Sequence, residues 1–210
     1  MEPRKYSIEI RAGRRPTIPQ VPERNGPRML KLKVRRSSPG GSTGRRLGQV
    51  VSQAELISLR GGWKHAGRGV VCASGCFDLL HPGHSRFLEQ ARAFGDVLVV
   101  AIESDEAVRA RFAQQDRNTS ARPFNPAAER AEVLAALAAV DFVTVVEGES
   151  PVRFLARLSP EIVVTAAGRD ATADREPSDL ERLACKVVRV APEPGYSTTL
   201  LIGRILESHS

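Results

Sequence analysis

The chain has 210 residues, 41% of them hydrophobic and 5% aromatic, with 31 Lys+Arg against 24 Asp+Glu and a formal net charge of +7. That is room for one domain of ordinary size with a real core, plus an additional segment. The positive surplus argues for nucleic acid only until it is located: residues 1–47 hold 13 basic and 3 acidic residues, leaving 18 basic and 21 acidic residues for a mildly acidic globular part.

Residues 1–47 are rich in Arg, Pro, Gly and Ser, and no helical or alternating period is sustained there. Such a segment buries too little apolar surface to offset its ordering entropy, so a disordered basic arm is expected. A solvated tail, or an upstream extension of a reading frame that starts near Met29, outweighs a polybasic contact. Nucleic acid is therefore not the expected partner of the arm. Cys72, Cys76 and Cys185 form no CxxC pair, which fits neither a disulfide framework nor a zinc site and favours a reducing compartment. No run approaches about 18 apolar residues, and the first residues lack the apolar stretch of a secretory signal. A cytoplasmic protein without a membrane span is the expectation.

Ordered structure is expected from about Ser52. Ser52-Gln53-Ala54-Glu55 has the form of a capping box, and Gly61-Gly62 predicts that the helix it opens is short or broken. Strands are predicted at Val70–Ala73, Val97–Ile102, Phe142–Val146, Ile162–Val164 and Val187–Val190. Helices are predicted at 85–94, at 126–139 with Asn125 as N-cap, at 151–158, at 178–184 and at 198–206. The alternation predicts an α/β fold, a single Rossmann-like doubly wound parallel sheet with helices on both faces.

The chemistry concentrates in Gly75-Cys76-Phe77-Asp78-Leu79-Leu80-His81-Pro82-Gly83-His84, which follows the first long strand and opens a helix. Ligands in such sheets sit outside the carboxyl ends of the strands, where a helix N-terminus presents N–H groups to an anion. Gly75 suits a tight turn, and Gly83 keeps the helix mouth open between two imidazoles. Two histidines three residues apart can face one phosphate. Zinc ligation lacks a third ligand at suitable spacing, so no protein-held metal is expected. Helix-capping histidines are the bland alternative, weakened because half of the chain's 4 histidines fall in this turn.

This segment resembles the HxGH motif of the cytidylyltransferase-like nucleotidyltransferases. More narrowly, the chain is similar to the bacterial D-glycero-β-D-manno-heptose 1-phosphate adenylyltransferases. The likeness runs from about Gln49 to Leu206 and includes Ala101-Ile102-Glu103-Ser104-Asp105, Arg122-Pro123-Phe124-Asn125-Pro126, Glu129-Arg130 and Gly195-Tyr196-Ser197-Thr198-Thr199. It implies a nucleotidyltransferase domain at 48–210 behind the arm at 1–47. The reaction implied joins ATP, or CTP in the related enzymes that act on alcohol phosphates, to a phosphorylated small molecule and releases pyrophosphate.

By the same resemblance, His81 and His84 are the catalytic pair. Gly75, Cys76, Phe77, Asp78, Gly83, Ser197, Thr198 and Thr199 form the nucleotide site. Asp105, Arg117, Arg122, Arg130 and Arg169 are candidates for holding phosphates or the acceptor. Mg2+ is expected with the triphosphate, and a homodimer is the assembly that many such relatives suggest.

Two departures stand out. The family carries lysines before RPxNP and after its fourth strand, yet no lysine occurs here between Lys64 and Lys186. Arg117 and Arg169 are the nearest replacements, and a guanidinium is not equivalent to an ammonium. Glu103 stands where the heptose enzymes have Asn. A nucleotide-binding pseudoenzyme is thus the competing reading of another class.

Overall fold

The computed structural model describes residues 47–115, 122–167 and 185–208. The arm expected at 1–47, apart from Leu47, and the helix expected at 178–184 lie outside them.

The elements run β1 (Gln49–Val50), α1 (Gln53–His65), β2 (Val70–Gly75), α2 (Pro82–Arg92), β3 (Val97–Glu103) and α3 (Asp105–Gln115). There follow α4 (Ala127–Ala135), β4 (Phe142–Val146), α5 (Pro151–Leu158), β5 (Ile162–Ala166), β6 (Lys186–Val190) and α6 (Thr198–Glu207). The strands pair in parallel in the order β1-β4-β3-β2-β5-β6. Chain direction across the sheet reverses between β2 and β5, which opens a crevice at their carboxyl ends.

Both faces are covered, as the unbroken apolar runs of β2 and β3 require. Val71, Ala73, Leu98, Val100 and Ile102 meet Leu88 of α2 and Leu134 of α4 on one side. Val70, Cys72, Val97, Val99 and Ala101 meet Leu56 of α1 and Phe154 of α5 on the other. Each fully buried Val, Leu, Ile or Phe contributes roughly 1.5–3 kcal/mol, so these two layers fix the sheet rigidly beneath its loops.

Four sequence expectations are corrected. Helix α1 runs unbroken through Gly61 and Gly62 for 13 residues. A Cβ at either glycine would touch nothing within 4 Å, so their cost is the ordinary propensity loss of about 1 kcal/mol each. The complete Ser52–Glu55 capping box and the burial of Leu56 and Trp63 outweigh it. The N-cap of α4 is Pro126, not Asn125, because the Asn125 amide is donated to the Asp78 carbonyl at 2.8 Å. That helix stops at Ala135 rather than 139, since the Ala135 carbonyl accepts from Gly48 N–H at 2.8 Å where the chain enters β1. Finally, α3 was not expected from the sequence; it buries Val108 and is started by Ser104, whose hydroxyl accepts from Ala107 N–H at 3.2 Å.

Candidate active site

The loop leaving β2 carries most of the polar chemistry. Its left-handed residue is Phe77 (φ 49°), not Gly75, which stays in the strand opposite Ile102. A non-glycine residue there stores strain of order 1 kcal/mol, and the 5% exposure of Phe77 shows packing holding it in place. His81 is extended at the N-cap of α2, with Pro82 next, and its side chain makes no capping bond. Helix capping therefore does not account for the pair. Instead the His81 and His84 rings stack, centroids 3.8 Å apart and planes 16° from parallel, with Phe77 tilted against His84 at 5.2 Å. Gly83 permits this: a Cβ there would lie 3.0 Å from His81 Nδ1 and 3.1 Å from Tyr196 Cβ.

Asp78 and Arg130 hold the neighbouring loops to this one. Asp78, 4% exposed, accepts through Oδ1 from the N–H groups of Phe124 (2.8 Å) and Asn125 (3.0 Å). Arg130 donates to the carbonyls of Cys76 (2.6 Å), Glu103 (2.9 Å) and Asn125 (2.9 Å), and to Asp105 Oδ1 (2.7 Å). Asp105 also accepts from Ala127 N–H at 2.9 Å. The exits of β2 and β3 and the segment leading into α4 thus meet on one guanidinium that is wholly buried. These contacts give Arg130, Asp105 and Asp78 positioning work; four of Arg130's five N–H donors are already used within the protein. Cys76 contributes its carbonyl to the clamp. Burial first, then the nearby Glu103 carboxylate, pushes its thiol up, so it is a neutral group at neutral pH.

Across the crevice lies the GYSTT segment. Gly195 turns the chain at φ 79°, where glycine is needed, and Ser197 caps α6 by accepting from Leu200 N–H at 3.1 Å. Tyr196 lies under Arg86, whose guanidinium carbon is 5.3 Å from the ring centre, and Arg86 is ion-paired with Glu193. Between the two segments is a cavity of about 230 Å³ lined by Ser74, Phe77, His81, His84, Ser197 and Thr198, with Ala166 and Ala167 closing it from the end of β5. It sits at the switch point between β2 and β5, where the N-termini of α2 and α6 converge. Thr199 is exposed and does not line it. Arg117 and Arg169 lie outside the described residues.

Comparison with known proteins bears on this geometry. The profile of the family described as cytidylyltransferase-like matches residues 72–204, from β2 into α6. The chain belongs to the cytidylyltransferase-like family. It is 38% identical over 154 residues to the bifunctional protein HldE of Koribacter versatilis (strain Ellin345), spanning 73% of this chain and 30% of that one. With the namesake of Geotalea uraniireducens (strain Rf4) it is 40% identical over 144 residues, 68% of this chain and 28% of the relative. This chain thus matches only about a third of these curated relatives' length. A solved structure, the lipopolysaccharide core biosynthesis protein of Thermoplasma volcanium GSS1, is similar over 60% of this chain and 98% of that chain, at 24% identity and a TM-score of 0.48.

Within this cytidylyltransferase-like frame, sequence reasoning named Arg122 but missed Arg111 and the ring that lies between the two. Glu103 is ion-paired with Arg111 of α3 at 2.7 Å, the side chains being 16% and 22% exposed. The guanidinium carbons of Arg111 and Arg122 lie 4.6 and 4.8 Å from the centre of the Phe112 ring, and that of Arg122 lies 5.6 Å from Phe124. Only the Glu103 departure hinted at a rearrangement here; nothing in the sequence joined it to Arg111. Among the described residues no cluster of three or more His, Cys, Asp or Glu could hold a metal ion, and no helix is long and apolar enough to cross a membrane.

Proposed function

We propose that the domain transfers the nucleotidyl group of ATP to the phosphate of a sugar phosphate, heptose 1-phosphate being the leading acceptor, with release of pyrophosphate. The observation that carries this reading is the convergence on one cavity of the stacked His81–His84 pair, the mouth of α2 and the hydroxyl-rich start of α6. An acceptor phosphate oxygen attacks the α-phosphorus in line, the bond to the bridging oxygen breaks, and pyrophosphate leaves with the electron pair. Positioning and charge stabilisation dominate such a transfer. His81 and His84 donate to phosphate oxygens as charge gathers on the leaving group, and the positive ends of α2 and α6 add to that field.

Magnesium fits as a passenger of the triphosphate. It needs only one or two protein oxygens beside phosphate and water, and Ser197, Thr198 and Glu193 at the cavity wall are oxygen donors of that kind. When bound, it neutralises charge on the departing pyrophosphate. Preference for ATP over CTP follows the likeness to the heptose enzymes, while the family's own name keeps a cytidylyltransferase acting on an alcohol phosphate as the second reading.

The test is pyrophosphate release by the purified chain with Mg2+, ATP or CTP, and a panel of phosphorylated acceptors led by heptose 1-phosphate and glycerol 3-phosphate. Release with ATP and a sugar phosphate is expected. Release only with CTP selects the second reading. ATP binding without turnover across the panel makes the domain a nucleotide-binding pseudoenzyme.

A further inference from the structure

Two guanidinium groups at the carboxyl end of β3 are not among the described residues lining the nucleotide cavity. Arg122 is only 9% exposed, and its Nε is buried without a hydrogen-bond partner among the described residues. It forms no ion pair with any described carboxylate. A buried cation left this way is costly unless an anion completes it. Arg111 Nε is buried and unpartnered in the same sense, and Glu103 cancels only one of the two charges. Phe112 lies beside both guanidinium groups and Phe124 beside that of Arg122; a guanidinium packed on a ring keeps the ability to donate in its own plane to a phosphate.

We infer that Arg111 and Arg122, bracketing Phe112, form a subsite for the phosphate of the acceptor. The assignment rests on the nucleotidyl-transfer reading above and deepens it. Asp78 ties the Arg122 loop, through Phe124 and Asn125, to the loop bearing His81 and His84, so the subsite and the histidines are held by one clamp. The leaving pyrophosphate is held on the α2 and α6 side of β2. An in-line displacement then brings the nucleophile from the opposite side, toward β3, where the two arginines stand. Glu103 is a positioning residue that fixes Arg111. This pair supplies positive charge in a stretch of chain that holds no lysine. The preferred acceptor is accordingly a phosphomonoester, whose compact dianion both forks can grip.

The experiment is steady-state kinetics of the full chain with ATP and the best acceptor, comparing Arg111→Met, Arg122→Met and Arg122→Lys. Each Met variant is expected to raise the acceptor KM by roughly 10–100-fold while the ATP KM stays within about threefold, and Arg122→Lys recovers part of the loss. A rise in the ATP KM instead, or no change in either, overturns the assignment. Should Arg122→Met fail to fold, Arg111→Met decides alone. If the parent chain releases no pyrophosphate with any acceptor, the transfer reading fails by itself. Titration calorimetry with inorganic phosphate then judges the subsite: binding lost in Arg111→Met supports it, while binding unchanged in that variant, or absent from the parent, overturns it.

Discussion

The two edges of the sheet use the same device to different ends. At the amino edge Arg60 donates to the Ser159 carbonyl at 3.1 and 2.9 Å and to Glu161 at 2.5 Å, while Glu161 accepts from Val70 N–H at 2.7 Å. This joins α1, the end of α5, and the starts of β5 and β2. At the carboxyl edge Arg130 joins the exits of β2 and β3 to the start of α4. Arg60 closes on a carboxylate that is 47% exposed, so that edge ends in water with its charges cancelled. Arg130 is fully buried, and beyond it stand two further arginines and two histidines. The amino edge is finished by its clamp; at the carboxyl edge the clamp is a foundation, with His81 and His84 lining a cavity on one side and Arg111 and Arg122 standing on the other.

The comparison is most severely tried by Arg130→Met. Three carbonyls and the Asp105 carboxylate would lose a charged donor together, and an expected cost of about 3 kcal/mol follows from leaving such groups buried and unmatched. Urea denaturation measures it. A loss below about 1 kcal/mol would mean that the strand exits are held by packing alone. His84→Ala tries the other half of the idea. Turnover should fall by at least ~10² with the urea midpoint nearly unmoved, as for removing a donor to developing charge. An active variant, or one that is inactive because it has unfolded, would erase the distinction between foundation and machinery.

How much of this was legible in the sequence follows the same division. The apolar runs of β2 and β3, the capping box at Ser52 and the histidines of the HxGH turn are local signals, and each sits where periodicity and spacing placed it. Strain at Phe77 was not legible, because a glycine two residues earlier was the obvious pivot. Arg130 read as a candidate phosphate ligand, since a sequence gives no account of a carboxylate 25 residues away and carbonyls 27 and 54 residues away converging on one guanidinium. The Arg111–Phe112–Arg122 cluster was illegible for a related reason: α3 shows too weak a helical pattern to predict which of its side chains share a face with the RPFNP loop.

The smallest expected effect lies at the amino edge, in Glu161→Gln. Burial by itself raises the Glu161 carboxyl, but the Val70 N–H and the Arg60 guanidinium together outweigh it, and the net effect lowers the group below its ordinary value of 4.5. A carboxylate whose folded pKa is depressed contributes stability that is complete above its unfolded pKa and is lost as the pH falls through the folded one. Because the side chain is 47% exposed, water and salt screen much of the pairing, and a cost of only about 1 kcal/mol is expected at neutral pH. Urea denaturation at pH 7 and again near pH 3 supplies the check. The gap between parent and Glu161→Gln should narrow toward pH 3, where the parent carboxyl is itself becoming protonated, and should shrink with added salt at pH 7. A gap that stays constant across both conditions would assign the clamp to the geometry of the Arg60–Ser159 bonds and remove charge from its account, making the two edges less alike than their arginines suggest.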